Sequence, residues 1–144
     1  MQENLVLLVE DDPDDTELVL AALQGHRGIE VRSANDGVQA LDYLFGKGPF
    51  AEEAAELPCV VLLDLKLPKL NGFEVLERIR SHERTALLPV VIMTSSKEEE
   101  DRVRSYRTGA NSYVQKPVDF DRFREVVRHL GLYWAGINEP APLP

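Results

Sequence analysis

The sequence predicts an α/β domain of five strand–helix units, (βα)5, a doubly wound parallel sheet with helices on both faces. Three observations predict it. Leu5–Val9, Cys59–Leu63 and Val90–Met93 are continuous apolar runs, each too short for a buried helix and suited to a strand covered on both sides. Helix-start signals follow these runs, so strands and helices alternate, which implies parallel pairing. Polar residues stand at the carboxyl ends of the runs, where open α/β sheets bind ligands. The 144 residues, 44% of them hydrophobic, fit one domain around one core.

In chain order, the first strand spans residues 4–9. Asp12-Pro13-Asp14-Asp15 reads as a helix start: Asp12 can cap, Pro13 suits the first helical position, and acids favour the positive end of the dipole. Asp12, Asp14 and Asp15 are therefore assigned to capping and the dipole, and Leu18, Val19, Ala22 and Leu23 to the buried stripe. Gly25 and Gly28 bracket a turn before a second strand over 29–34. Asp36-Gly-Val-Gln39 has the pattern of a capping box that opens a helix to Phe45, and residues 46–57 read as a long loop. After the third strand, Asn71-Gly-Phe-Glu74 is a further capping box, for a helix to Arg80. Ser96-Lys-Glu-Glu99 is a third. The helix it opens has little apolar anchorage beyond Val103 and Tyr106, so it is expected to be loosely held. A short last strand spans 112–115. Asp119 then caps a helix with Phe120, Phe123, Val126, Val127 and Leu130 on one face. Residues 1–137 form the expected domain and 138–144 a flexible tail.

The net charge of −9 and pI near 4.8 argue against nucleic acid and anionic membrane as direct partners. No stretch is long and apolar enough to span a bilayer, and the start lacks a secretion-signal pattern. Cys59 is the one cysteine and reads as a small buried hydrophobe, so a cytoplasmic location is expected.

Glu10 and Asp11 follow the first strand, Asp64 the third, Thr94 ends the fourth, and Lys116 follows the fifth. Crowded carboxylates repel one another, and a hard divalent cation relieves the conflict. A carboxylate can also be a nucleophile towards phosphorus, and phosphoryl transfer needs positioning and positive charge around the equatorial oxygens. Asp64 is the acceptor on this reading. Asp11 is a Mg²⁺ ligand, Glu10 acts on the cation directly or through water, and Lys116 and the Thr94 hydroxyl complete the site.

At these residues the sequence resembles the receiver domain of two-component response regulators. The resemblance is carried by LVLLVEDD (5–12), VVLLDLKLPKLNGFEVL (60–76), VVIMTSS (90–96) and GANSYVQKPVD (109–119), which span nearly the whole chain. It implies a flavodoxin-like fold with strand order 2-1-3-4-5. It implies Asp64 as phosphoacceptor, Glu10, Asp11 and the backbone carbonyl of Lys66 as Mg²⁺ ligands, and Lys116 as partner of the phosphoryl group. Thr94 and Tyr113 become the switch pair, and Lys66 and Ser96 the positions that set phosphate lifetime. Lys66 either reaches solvent or pairs with the phosphoryl group and slows hydrolysis. The Lys116–Pro117 bond is expected to be cis.

The resemblance also implies a sensor histidine kinase as partner. The long loop, the LPKLNG turn and the Tyr133-Trp134 tail are similar to the small regulators paired with phytochrome-type kinases. No output domain is expected after the last helix. The apolar residues Leu132, Tyr133, Trp134 and Ile137 suggest a homodimer through the last two helices, the last strand and the tail. The domain is expected to be a switch rather than a turnover enzyme, with only self-phosphorylation and autodephosphorylation. Alternatives are a degenerate receiver that acts only as an interaction or dimerisation module, an aspartyl-nucleophile hydrolase and a nucleotide binder. The complete acid–lysine set disfavours the first. The acceptor's place after the third strand disfavours the second, and the acid-rich first loop the third.

Overall fold

The structure is a computed structural model and describes residues 4–24, 26, 28–48 and 56–143. Five parallel strands, β1 (Leu5–Val9), β2 (Glu30–Ala34), β3 (Val60–Leu63), β4 (Val90–Thr94) and β5 (Ser112–Gln115), form one sheet in the order 2-1-3-4-5. The helices are α1 (Pro13–Gln24), α2 (Gly37–Phe45), α3 (Gly72–Ser81), α4 (Glu99–Thr108) and α5 (Phe120–Leu132). This is the expected flavodoxin-like (βα)5 architecture. Of the two loop expectations, residues 49–55 of the long loop and Gly25 of the first turn lie outside the described residues.

The three apolar runs are strands because each can be covered twice. Leu5, Leu7 and Val9 of β1, Val61 and Leu63 of β3, and Val90 and Ile92 of β4 pack on one face with Leu44 of α2 and Leu76 and Ile79 of α3. The alternate residues Val6, Leu8, Val60, Leu62, Val91 and Met93 pack on the other, with Val19 and Leu23 of α1 and Phe123 and Val127 of α5. Each such side chain contributes about 1.5–3 kcal/mol by leaving water. The outer strand β2 is different: apart from Ala34 its residues are half-buried or exposed.

The caps are mostly those anticipated. Asn71 and Glu74 form the reciprocal box, with Asn71 Oδ1 accepting from the Glu74 amide at 3.0 Å. Asp36 accepts from the Gln39 amide at 2.7 Å, but the Gln39 side chain reaches back to the amide of Asn35 rather than of Asp36. The α4 start differs more. Glu98 is its cap residue, and its side chain makes no capping hydrogen bond. Ser96 lies outside the helix, accepting from the Glu98 amide (3.2 Å) and donating to Asp101 (2.7 Å).

The anchorage of α4 is as thin as expected and of a different kind. Val103 and Tyr106 are exposed, and Ser105 is its buried residue. Polar contacts replace apolar burial. The Arg104 guanidinium stacks 4.0 Å over the Phe73 ring, and Arg80 of α3 donates to the carbonyl of Gly109, where α4 ends.

Beyond α5 the chain continues through a π-helical turn, Tyr133–Ile137. Trp134 packs back on the α1/α5 side of its own core, so it is not part of an exposed apolar surface; Leu132, Tyr133 and Ile137 are exposed. Residues 138–143 carry no helix or strand, and Leu143 packs against the α2/α3 side of the core.

Candidate functional site: a carboxylate–lysine cluster at the carboxyl edge of the sheet

Strand register sets the site. Val9 pairs with Leu63, so the residues that follow, Glu10 and Asp64, leave the sheet side by side. The Asp64 amide donates to the Val9 carbonyl (3.1 Å), and the Lys116 amide to that of Thr94 (2.7 Å). These bonds extend the ladder to the functional residues themselves. Leu63 pairs with Ile92, which puts Thr94 one residue further along β4 than Asp64 is along β3.

Glu10 is 2% exposed and Asp64 8%. The Lys116 ammonium lies between them, donating to Asp64 Oδ2 at 2.9 Å and to Glu10 Oε1. A third bond goes to Asp15 Oδ2, at 2.9 Å. The other Asp64 oxygen, Oδ1, accepts from the Lys66 amide at 3.3 Å. Burial pushes the Glu10 carboxyl up to about 7 despite the Lys116 contact that opposes it, and the Asp64 charge adds to the rise. Burial works against the charged form of Lys116, but its bond to Glu10, the Asp64 charge and its bond to Asp15 outweigh that and raise its pKa, so it stays an ammonium.

Carboxylate oxygens of Glu10, Asp11 and Asp64 lie within 4.8 Å of one another. Asp11 is exposed at the mouth. An all-oxygen, anionic donor set of this kind suits a hard divalent cation. Together with Asp15, the four carboxylates and one ammonium leave the site strongly negative, so the residues present fit such an ion.

The other anticipated residues fall around this cluster. Thr94 is fully buried, and its Oγ1 accepts from the Ser96 amide at 3.3 Å. Tyr113 is turned inward, its hydroxyl donating to the Ser96 carbonyl at 3.3 Å. Burial raises the Tyr113 pKa, which keeps it a donor. The Lys66 side chain is exposed. Gly72 is required by closeness: a Cβ there would stand 2.3 Å from the Asp64 carbonyl oxygen.

Two expectations are corrected. The described residues contain no cis peptide bond, so Lys116–Pro117 is trans, the isomer ordinarily favoured by about 0.5–1 kcal/mol. Lys116 reaches Asp64 with that geometry. Asp15, assigned to helix capping, belongs to the site. A signal for it was present: Asp15 stands three residues before Leu18 and four before Val19, on the stripe that α1 turns inward. Asp12 does cap, its Oδ1 accepting from the Asp14 amide at 2.8 Å.

Fold and site together define a flavodoxin-like domain with an acid–lysine cluster at the switch point between β1 and β3. The chain belongs to the response regulator receiver domain family, whose pattern matches residues 6–128. The crystal structure of the phosphorylated cyanobacterial phytochrome response regulator RcpA superposes with a TM-score of 0.89, at 34% identity, covering 98% of each chain. The Mn²⁺-bound form of response regulator Rcp1, a Synechocystis protein, also gives 0.89, at 31% identity, with 96% of this chain and 99% of that one covered. The probable methanogenesis regulatory protein FilR2 of Methanothrix harundinacea is 39% identical over 96% of this chain and 88% of its own length. Several other curated relatives are longer, and the chain covers about half of them or less.

Proposed function

We propose that the chain is a phosphorylation switch in which Asp64 takes a phosphoryl group from a sensor histidine kinase. The observation that carries this reading is the placing of Lys116 against Asp64 Oδ2 at 2.9 Å, beside Glu10 and Asp11. In the transfer, the bond from phosphorus to the donor imidazole nitrogen breaks as the bond to an Asp64 carboxylate oxygen forms. Glu10, Asp11, Asp64 and the Lys66 carbonyl would hold Mg²⁺, which supplies positive charge to the phosphoryl oxygens when bound. Lys116 supplies a second positive charge from a fixed position. The Thr94 hydroxyl then turns to a phosphoryl oxygen. Tyr113 holds the Ser96 carbonyl, and through Ser96 the change reaches Asp101 and the thinly anchored α4. Self-phosphorylation from small donors and slow autodephosphorylation belong to the same site.

The likeness to RcpA supports a phytochrome-type kinase as the donor. A cytoplasmic location is part of this reading; among the described residues no helix is long and apolar enough to cross a membrane. The exposed Leu132, Tyr133 and Ile137 support a second property, a homodimer through α4, β5, α5 and the following turn.

The test is intact-mass spectrometry after incubation with acetyl phosphate or phosphoramidate and Mg²⁺. One added phosphoryl group is expected, abolished by EDTA and by Asp64→Ala. No adduct from either donor overturns the reading and leaves an interaction module. Light scattering at high concentration, with and without beryllofluoride, tests the dimer; a monomer under both conditions rejects it.

A further inference from the structure

Lys116 has three N–H groups and three acceptors: Glu10 Oε1, Asp64 Oδ2 and Asp15 Oδ2. The phosphorylation reading gives Asp64 the phosphoryl group and gives Glu10 a share of the cation. It leaves Asp15 without a task. Asp15 lies outside the three-carboxylate cluster, and its side chain is 19% exposed, well covered for an aspartate in a first helical turn. Strand alternation explains why it is there. Glu10, Asp64 and Lys116 continue the strand positions that face α1 and α5, so the first turn of α1 passes over them. Asp15 is the inward residue of that turn.

We propose that Asp15 is a positioning residue for phosphoryl transfer, holding the Lys116 ammonium in line with the acceptor carboxylate. This rests on Asp64 being the phosphoacceptor. A lysine is a point charge on a stem of four rotatable bonds, and its direction is set only by what its donors touch. A cation on Glu10 and Asp64 draws on the same carboxylates that hold two of those donors, and phosphorylation changes the charge and shape of one of these two, Asp64. Asp15 is the one of the three whose bond to Lys116 needs no change in any of these states. It keeps Nζ in place while the partner at Asp64 changes from a carboxylate oxygen to a phosphoryl oxygen. A small misplacement of a charged group at such a site costs rate steeply.

The experiment compares the full chain with Asp15→Ala and Asp15→Asn, each also in a Lys116→Ala background. Initial rates of adduct formation from phosphoramidate are read by intact mass at saturating Mg²⁺, and Mn²⁺ affinity is read by electron paramagnetic resonance. Asp15→Ala is expected to slow labelling about tenfold, the size of losing one charge-assisted hydrogen bond. Asp15→Asn, which keeps an acceptor oxygen, recovers most of the rate. In the Lys116→Ala background Asp15→Ala adds no further loss, because the effect runs through the lysine. Mn²⁺ affinity changes less than the rate. An unchanged labelling rate in Asp15→Ala overturns the proposal. So does an equal loss in the Lys116→Ala background, which would show a general structural role. Absence of labelling in the unmodified chain is a separate failure: it removes the phosphoacceptor reading, and the positioning role with it.

Discussion

Arg80 Nε donates to the Gly109 carbonyl at 2.8 Å, tying the last turn of α3 to the point where α4 ends. The same guanidinium donates to the carbonyls of Leu88 (2.7 Å) and Ala86 (3.1 Å) and to Asn111 Oδ1 (2.8 Å). Asn111 Oδ1 also accepts from the Val90 amide, at the first residue of β4. One side chain thus fastens the C-terminal end of α4 to the start of two strands. The N-terminal end hangs on Ser96, Asp101 and the Arg104–Phe73 stack. Any movement of α4 should pivot about its Gly109 end.

Arg80→Met should therefore lower stability by roughly 2–3 kcal/mol, because it strands several carbonyls at once. Urea denaturation gives the magnitude. Hydrogen exchange should quicken most at Gly109–Asn111. A stability change below about 0.5 kcal/mol, the usual size at an ordinary surface position, would show that the clamp is unimportant.

Gly72→Ala tests the closeness of α3 to the acceptor loop. The added methyl would lie 2.3 Å from the Asp64 carbonyl oxygen and 2.7 Å from Leu65 Cα, both backbone, which cannot swing aside. A loss of about 1–3 kcal/mol is expected, together with weaker Mn²⁺ binding as Asp64 shifts. Gly136→Ala is the control, since nothing lies within 4 Å of its added methyl. If both variants melt alike, the contact argument is wrong.

Glu10 predicts an unusual pH dependence. Its carboxyl is raised from an ordinary 4.5 to about 7. A raised carboxylate contributes stability that is fully present below the ordinary value and is lost as pH rises through the folded one. Cation-free protein should lose up to about 3 kcal/mol from this group between pH 4.5 and pH 8. Mg²⁺ should flatten the loss by stabilising the ionised form, and cation affinity should fall as pH drops below about 7, where a proton competes. Melting curves across this range, with Mg²⁺ or EDTA, check both. Glu10→Gln should remove the slope, and a slope that survives it assigns the effect elsewhere.

Cys59 is 2% exposed, and burial pushes its thiol up to about 11. It should resist thiol reagents in the folded state at pH 8 and react as fast as a free thiol in urea. Its labelling rate then reports global opening. Fast labelling of native protein would indicate local opening where the N-terminal end of β3 meets the turn at Trp134–Gly136, which lines the same cavity.

The architecture was legible because its signals are local. Apolar runs such as Leu5–Val9 and the Asn71–Glu74 cap act over a few residues, and both appear in the structure where their spacing put them. Glu10, Asp64, Thr94 and Lys116 were legible for the same reason, since each closes or follows a strand at one edge of the sheet. Asp15 was misassigned because an acid in a first helical turn has a sufficient local explanation. Its role depends on a lysine 101 positions away. Arg80, with its bond across 29 positions, gave no local signal at all. Trp134 is apolar by residue type, but whether it faces inward or outward depends on how the turn after α5 folds back. Local patterning by itself determined the strands, the helices and the edge where the polar residues gather. Only the tertiary structure decided which carboxylates share the Lys116 ammonium and where α4 is fastened, since hydrogen bonds between distant segments follow from strand register and helix docking rather than from neighbours in the chain.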